Sequence, residues 1–235
     1  MLKQINVYIG YDPSEGIAAQ VLAHSITSRS SIPVNITFLM LNQLRQIHKR
    51  ERHELQSTDF SFTRFLVPYL SQYRGYNVFM DCDMLMLDDI ANLDNQYGGT
   101  VYPVRVVKHD YKPTNTTKML GQKQTQYPCK NWSSFMVFWS AHADCGTLTP
   151  EIVDNESGLY LHQFKWTDRV GELDARWNHL IGYDKEKPID DISVLHWTEG
   201  GPWWEKYKNT GYADVWFEEK AKMEQAYERP KVVAK

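Results

Sequence analysis

The sequence predicts an α/β fold with a mixed, mostly parallel central sheet flanked by helices. Three observations carry this. An alternating apolar run at residues 5–9 stops at Gly10, a helix-start signal follows, and a second apolar run follows that, which is the strand–helix–strand opening of a parallel sheet. A third short apolar run, residues 77–80, leads straight into acidic residues, the place where open α/β sheets hold their ligands. The composition over 235 residues, 42% apolar and 23% charged, is that of an ordinary soluble protein that can bury a sizeable core.

The elements follow in order. Ile5, Val7 and Ile9 alternate with Asn6 and Tyr8, the period of a strand. Asp12 then serves as a helix cap, Pro13 suits the first helical position, and Glu15 stands three residues after the cap. Ile17, Val21, Leu22 and Ile26 recur at helical spacing, and residues 34–41 form the next strand. The basic stretch 44–54 reads as a solvated helix or loop. Residues 62–70 read as a short helix limited by Pro68, and residues 101–107, 135–139 and 194–197 as further strands. The polar segment 109–131 is long for a connection and reads as a functional loop. A charged helix over residues 218–227 and a frayed tail at 230–235 close the chain. Internal repeats and linker-like stretches are absent, so one domain is expected over 1–235, with a charged helical tail from about residue 213.

Charge and composition exclude several classes. The net charge of −3 disfavours general attraction to nucleic acid. No apolar run approaches the length of a membrane span, and the N-terminus lacks the apolar core of a signal peptide. The charges near the C-terminus alternate in sign as on a soluble helix face, so no stable membrane insertion is expected. Cys82, Cys129 and Cys145 are too few and too scattered for a disulfide framework, and a cytoplasmic location follows as the expectation. Aromatic residues reach 13%, and six of the eight tryptophans lie at or after Trp166. Such rings build cores and also stack on sugar rings and bases.

Two local patterns carry chemistry. In Asp81-Cys82-Asp83, two carboxylates one residue apart at a strand end project to the same side. Like charges held that close call for a cation, and hard oxygen ligands suit Mn²⁺ or Mg²⁺, which in turn bind diphosphates. In the run from His196 to Trp204, a histidine at a strand end is followed by Gly200 and Gly201, whose backbones let a ligand approach, and by Pro202 and Trp203. Imidazole joins carboxylates readily around Mn²⁺, so Asp81, Asp83 and His196 form one candidate metal set.

Together these motifs give the chain a resemblance to the retaining nucleotide-sugar glycosyltransferases of the GT-A (Rossmann-like) fold near family 8, the group of glycogenin and the lipopolysaccharide galactosyltransferases. Ile9-Gly10-Tyr11-Asp12 resembles the first strand and nucleoside-binding turn, and Phe62 to Pro68 the helix whose arginine, here Arg64, faces the donor. Asp81-Cys82-Asp83 resembles the metal motif, Trp132-Ser133-Ser134 and the strand after it the family's Asn-Ser-Gly segment, and Trp177-Asn178 the late Trp/Tyr-Asn pair. His196 with Gly200, Gly201, Pro202 and Trp203 resembles the His-Gly-Lys-Pro-Trp motif.

The resemblance implies a metal-dependent transfer of a hexose, glucose or galactose, from a UDP-sugar to a sugar, lipid-linked or protein acceptor, with Mn²⁺ as cofactor and Mg²⁺ as the alternative. Donor contacts would come from Gly10, Tyr11, Asp12, Arg64, Ser133, Ser134, Gly200, Gly201, Trp203 and Lys206. Asp81, Asp83 and Arg64 would serve catalysis, with Asp168 and Glu172 standing where the family has an Asp-Gln pair. Gly201 occupies the place of the motif lysine, so a cation for the leaving diphosphate must come from Lys206, Lys118 or Lys108. Trp132 replaces an asparagine that contacts sugar. A same-face displacement is preferred because it needs no protein nucleophile. Two other readings remain open from sequence: a nucleotide-sugar-binding module without turnover, supported by the absent lysine, and a phosphohydrolase of the haloacid-dehalogenase type, which also places Asp-X-Asp after an apolar strand.

Overall fold

A computed structural model describes residues 3–52, 56–96, 99–110 and 128–227. Most of the 109–131 loop, Lys118 and the tail beyond Tyr227 lie outside the described residues. The central sheet has six strands in the order β2-β1-β3-β6-β5-β7: β1 (Ile5–Gly10), β2 (Val34–Leu39), β3 (Tyr76–Met80), β5 (Val104–Val106), β6 (Phe135–Trp139) and β7 (Val170–Glu172). β1 pairs in parallel with β2 and β3, and β5 with β7, while β6 runs antiparallel to both of its neighbours. Five strands thus point their C-terminal ends the same way, which agrees with the mostly parallel sheet expected.

Sequence pattern explains the central strands. β3 and β6 are apolar on nearly every residue because both faces of the sheet are covered. β2 alternates between half-buried and exposed positions, as an edge strand should. α1 (Gly16–Arg29) connects β1 to β2 and buries Ala18, Ala19, Val21, Leu22, Ser25 and Ile26. Ile17, expected on that stripe, is 39% exposed. The expected helix at 62–70 is a 3-10 turn, Thr63–Leu66, continued by the single-turn α2 (Val67–Leu70), with Pro68 tolerated in its first turn. α3 (Pro150–Asn155) and α4 (Gly158–His162) follow β6.

A second sheet of three short strands, β4 (Met84–Met86), β9 (Val194–His196) and β8 (His179–Leu180), was not legible as such in the sequence. β4 pairs antiparallel to β9 with Met84 opposite His196, and the Trp197 N–H donates to the Asp83 carbonyl at 2.9 Å. That register closes the chain between two motifs over a hundred residues apart. Leu85, Leu195, Trp197, Trp216 and Met223 form a separate apolar cluster with Val21 of α1.

α5 spans Ala213–Tyr227 and begins five residues before the charged stretch that announced it. It is not only a solvated face. Trp216 and Met223 are buried, and Glu219, 1% exposed, places Oε1 2.6 Å from His24 Nδ1 and Oε2 2.6 Å from Arg29 Nη2 on α1. The basic stretch 44–54 also departs from the solvated reading. His48 is buried, and the Arg50 guanidinium lies over the Phe62 ring at 3.7 Å while its Nη1 donates to the carbonyls of Val153, Asp154 and Glu156 at the end of α3. Those last-turn carbonyls lack helical donors, which is what recruits the cation.

Candidate metal centre

The site forms where β1 and β3 end. Ile9 is paired with Met80, so the turn Gly10-Tyr11-Asp12 stands beside Asp81-Cys82-Asp83. Cys82 points beneath the motif and is fully buried; burial first, then the carboxylates of Glu15, Asp83, Asp81 and Asp12, pushes its thiol well above the usual range. The cysteine is therefore an inert packing group, and the two aspartates around it face outward.

Asp81, Asp83 and His196 each offer one ligand atom, and these atoms all lie within 4.8 Å of one another. The three residues named from sequence are therefore brought together. Asp81 Oδ1 is 2.9 Å from Arg64 Nη1. Arg64 is buried, its Nη1 also donates to the Ser133 carbonyl at 2.9 Å and its Nε to the Phe60 carbonyl at 3.3 Å. Asp83 Oδ1 lies 3.3 Å from His196 Nε2 and is a buried oxygen without a hydrogen-bond partner. The Nδ1 of His196 is 2.9 Å from Asn178 Oδ1. Among the described residues, the Arg64 guanidinium offsets one of the two carboxylates. The donor set, two carboxylates and an imidazole with one carboxylate oxygen unsatisfied, fits a divalent cation such as Mn²⁺ or Mg²⁺.

The other candidates fall into place differently. Asp12 is a cap: its Oδ1 accepts from the Ser14 N–H at 2.9 Å and its Oδ2 from the Asp59 N–H at 3.1 Å. Tyr11 stays half-buried, edge-on to Phe38 at 6.0 Å, with its hydroxyl over Gly16. Gly10 is a glycine because a Cβ there would overlap the Phe60 ring. Ser133 and Ser134 are buried; Ser133 Oγ lies 2.7 Å from His162 Nδ1, and Ser134 Oγ donates to the Asn131 carbonyl at 2.6 Å. Both hydroxyls are engaged with the protein.

The turn after His196 also serves the interior. Gly200 adopts φ +128°, and its N–H donates to the Trp197 carbonyl at 2.9 Å rather than facing an open cleft. A Cβ on Gly201 would overlap the Trp203 ring, and Trp203 packs against Trp197, Trp204 and Trp216. Lys206 is exposed beside the Tyr207 ring, and Lys108 stands 5.7 Å from the Trp132 ring. Asp168 precedes β7, at the opposite end of the sheet from Asp81. Glu172 ends β7, which lies three strand positions from β3, roughly 14 Å away.

Two residues of the site were missed. Asn178, fully buried, holds His196, and its only sequence signal was the Trp177-Asn178 pair. His109 follows β5; burial pulls its imidazole down to about 4 in the company of Asp184, His196 and His179, and its buried Nε2 has no hydrogen-bond partner. A lone histidine before a polar loop gave no signal at all.

Comparison with known proteins agrees with the fold. The chain is 44% identical over 224 residues to the Arabidopsis thaliana "Protein CDI", covering 92% of this chain and 86% of that protein. Among solved structures, the apo bifunctional glycosyltransferase WbbM superposes with a TM-score of 0.65 at 15% identity, covering 94% of this chain. The chain spans half the length of WbbM. The galactosyltransferase LgtC, solved with donor and acceptor sugar analogs, superposes with a TM-score of 0.57 at 11% identity, over 97% of this chain and 98% of its own. No family model matches the sequence.

Proposed function

Because the chain belongs to the family of the Arabidopsis Protein CDI and has the GT-A glycosyltransferase fold, we propose that it is a metal-dependent glycosyltransferase acting on a nucleotide-sugar donor. The observation that carries the reading is the meeting of Asp81, Asp83 and His196 at the C-terminal end of the central sheet. A divalent ion bound there, Mn²⁺ in this proposal, supplies positive charge to the departing nucleoside diphosphate.

The chain's own residues do the rest. Arg64 holds Asp81 in place and keeps the site from carrying two uncompensated carboxylates. Tyr11, half-buried just after β1, carries a flat ring of the kind that stacks on a uracil base. The donor in this reading is UDP-glucose or UDP-galactose. Asp168 and Glu172 stand away from Asp81 and Asp83, which favours a retaining same-face displacement without a protein nucleophile. The three cysteines are unpaired, in keeping with a cytoplasmic protein. Among the described residues no helix is long and apolar enough to cross a membrane.

The test is donor hydrolysis by the full chain with a panel of UDP- and GDP-sugars, with Mn²⁺, with Mg²⁺ and with neither. Release of UDP that requires Mn²⁺ is expected. Tight binding of UDP by calorimetry with no release from any donor would instead support a binding module, the reading favoured by Gly201 in place of the motif lysine.

A further inference from the structure

We infer that Asn178 is a positioning residue that fixes the tautomer of His196, keeping the proton on Nδ1 and leaving Nε2 as a metal-binding lone pair. This rests on the metal-site reading above, but it can be read directly in the metal-free protein.

The direction of each hydrogen bond follows from the groups involved. Asn131, at φ +62°, is in the left-handed region that asparagine tolerates, and its carbonyl lies 2.6 Å from Ser134 Oγ. A carbonyl only accepts, so the serine hydroxyl is the donor there. The same Oγ must then accept from its other neighbour, Asn178 Nδ2, at 3.0 Å, and that Nδ2 also lies 3.4 Å from the Asn131 carbonyl. Both groups at that end of the amide are acceptors. Turning the amide over would set its oxygen against a carbonyl inside a fully buried site, so Oδ1 is held toward His196.

His196 Nδ1 stands 2.9 Å from that oxygen and must donate to it. A neutral imidazole carries one N–H, so Nε2 is left with a lone pair. It faces Asp83 Oδ1 at 3.3 Å, an oxygen with no hydrogen-bond partner. Two acceptors facing each other repel unless a cation lies between them. The 3-10 turn Trp132–Ser134 thereby steadies both arms of the centre: the Ser133 carbonyl holds Arg64 against Asp81, and the Ser134 hydroxyl orients Asn178 against His196. Outer partners of ligating histidines are worth roughly 10–100-fold in metal affinity.

The experiment uses the ¹⁵N-labelled full chain without metal at mildly alkaline pH. Long-range ¹H–¹⁵N imidazole spectra, with the His196 signal assigned by its loss in His196→Ala, should show Nδ1 protonated in the wild type. Asn178→Leu should lose that preference and bind Mn²⁺ about tenfold or more weakly by calorimetry. Asn178→Asp keeps an oxygen acceptor for His196 Nδ1 but sets a second oxygen against the Asn131 carbonyl in place of Nδ2, so this variant should melt lower than wild type while its spectrum still shows Nδ1 protonated. Melting temperatures of all variants are recorded alongside. A proton on Nε2 in the wild type overturns the inference whether or not any variant folds. So does a folded Asn178→Leu with wild-type Mn²⁺ affinity, or a folded Asn178→Asp whose His196 ring carries its proton on Nε2 alone. If His196→Ala binds Mn²⁺ as well as wild type, the metal-site reading fails while the tautomer result still stands or falls on its own spectrum.

Discussion

Arg64 Nη1 lies 2.9 Å from Asp81 Oδ1, and the same nitrogen donates to the Ser133 carbonyl at 2.9 Å, so one buried guanidinium joins the metal motif to the turn before β6. Removing the cation takes a close positive charge from a largely buried carboxylate. Arg64→Met is expected to destabilise the metal-free protein by about 3 kcal/mol. Mn²⁺ should raise the melting temperature more in this variant than in wild type, because the metal then stands in for the positive charge that Arg64 supplied to Asp81. Equal Mn²⁺ shifts in the two proteins would show that Arg64 and the metal do not share that carboxylate.

Asp83→Asn separates binding from folding. In the metal-free protein Asp83 Oδ1 and His196 Nε2 face each other at 3.3 Å. An asparagine amide can donate to that nitrogen, so the variant should melt no lower than wild type. Its Mn²⁺ affinity should fall on the order of 100-fold, and donor turnover with it. Wild-type turnover in Asp83→Asn would remove the metal from the reaction.

His196→Ala should cost more donor turnover than any other single histidine substitution, by on the order of tenfold or more. His24 and His48 pair with carboxylates elsewhere in the molecule, on Glu219 and Asp154, and His142 lies beside Asp144 after β6. His109, which shares surroundings with His196, is the comparison that matters. A larger loss in His109→Ala would move the centre of the chemistry to the end of β5.

The strands that were readable from sequence are those whose pattern is local. β1 and β3 announce themselves by apolar runs that end in Gly10 and in Asp81, and these two ends carry the first half of the site. β4, β7 and β8 have two or three residues each, too few to show a period; β5 and β9 are as short and were read only because they sit in the runs 101–107 and 194–197. The candidate metal ligands were legible because carboxylates after an apolar strand and a histidine before a double glycine are unusual. Asn178 stood out only as part of the Trp177-Asn178 pair; that it holds His196 was not legible, since an asparagine that orients another side chain looks like any polar residue in a loop. The same limit hides that polar groups of Asp12, Ser133, Ser134 and Gly200 also satisfy the protein's own backbone and side chains.

Gly201 now has a packing reason. A Cβ there would meet the Trp203 ring, which is 5.6 Å from Trp216 between centroids. Gly201→Ala should lower stability by about 2 kcal/mol through overpacking, while Mn²⁺ affinity of the folded protein is retained. A variant that melts like wild type yet loses UDP binding would restore the expectation that the Gly201 backbone approaches the diphosphate.

The clasp between α1 and α5 predicts an acid-sensitive contribution to stability. Burial alone would push the Glu219 carboxyl up, but hydrogen bonds and charge from Arg29 and His24 outweigh it and hold the group below its ordinary value. A carboxylate whose folded pKa is depressed takes up its proton less readily in the folded state than in the unfolded one. Its stabilisation is therefore fully present above the unfolded value of about 4.3 and is lost as pH falls through the lower folded value. Glu219→Gln should reduce stability by about 2 kcal/mol at neutral pH, since it removes the buried charge facing the Arg29 guanidinium and puts an amide donor in place of one of the two acceptor oxygens. The gap between variant and wild type should narrow as pH falls below the unfolded value of about 4.3 and close once pH has passed the lower folded value. Urea titrations of both proteins at a series of pH values give the two curves. A constant gap down to the most acid point would mean that Glu219 stabilises by shape and packing of α5 on α1, with its charge contributing nothing.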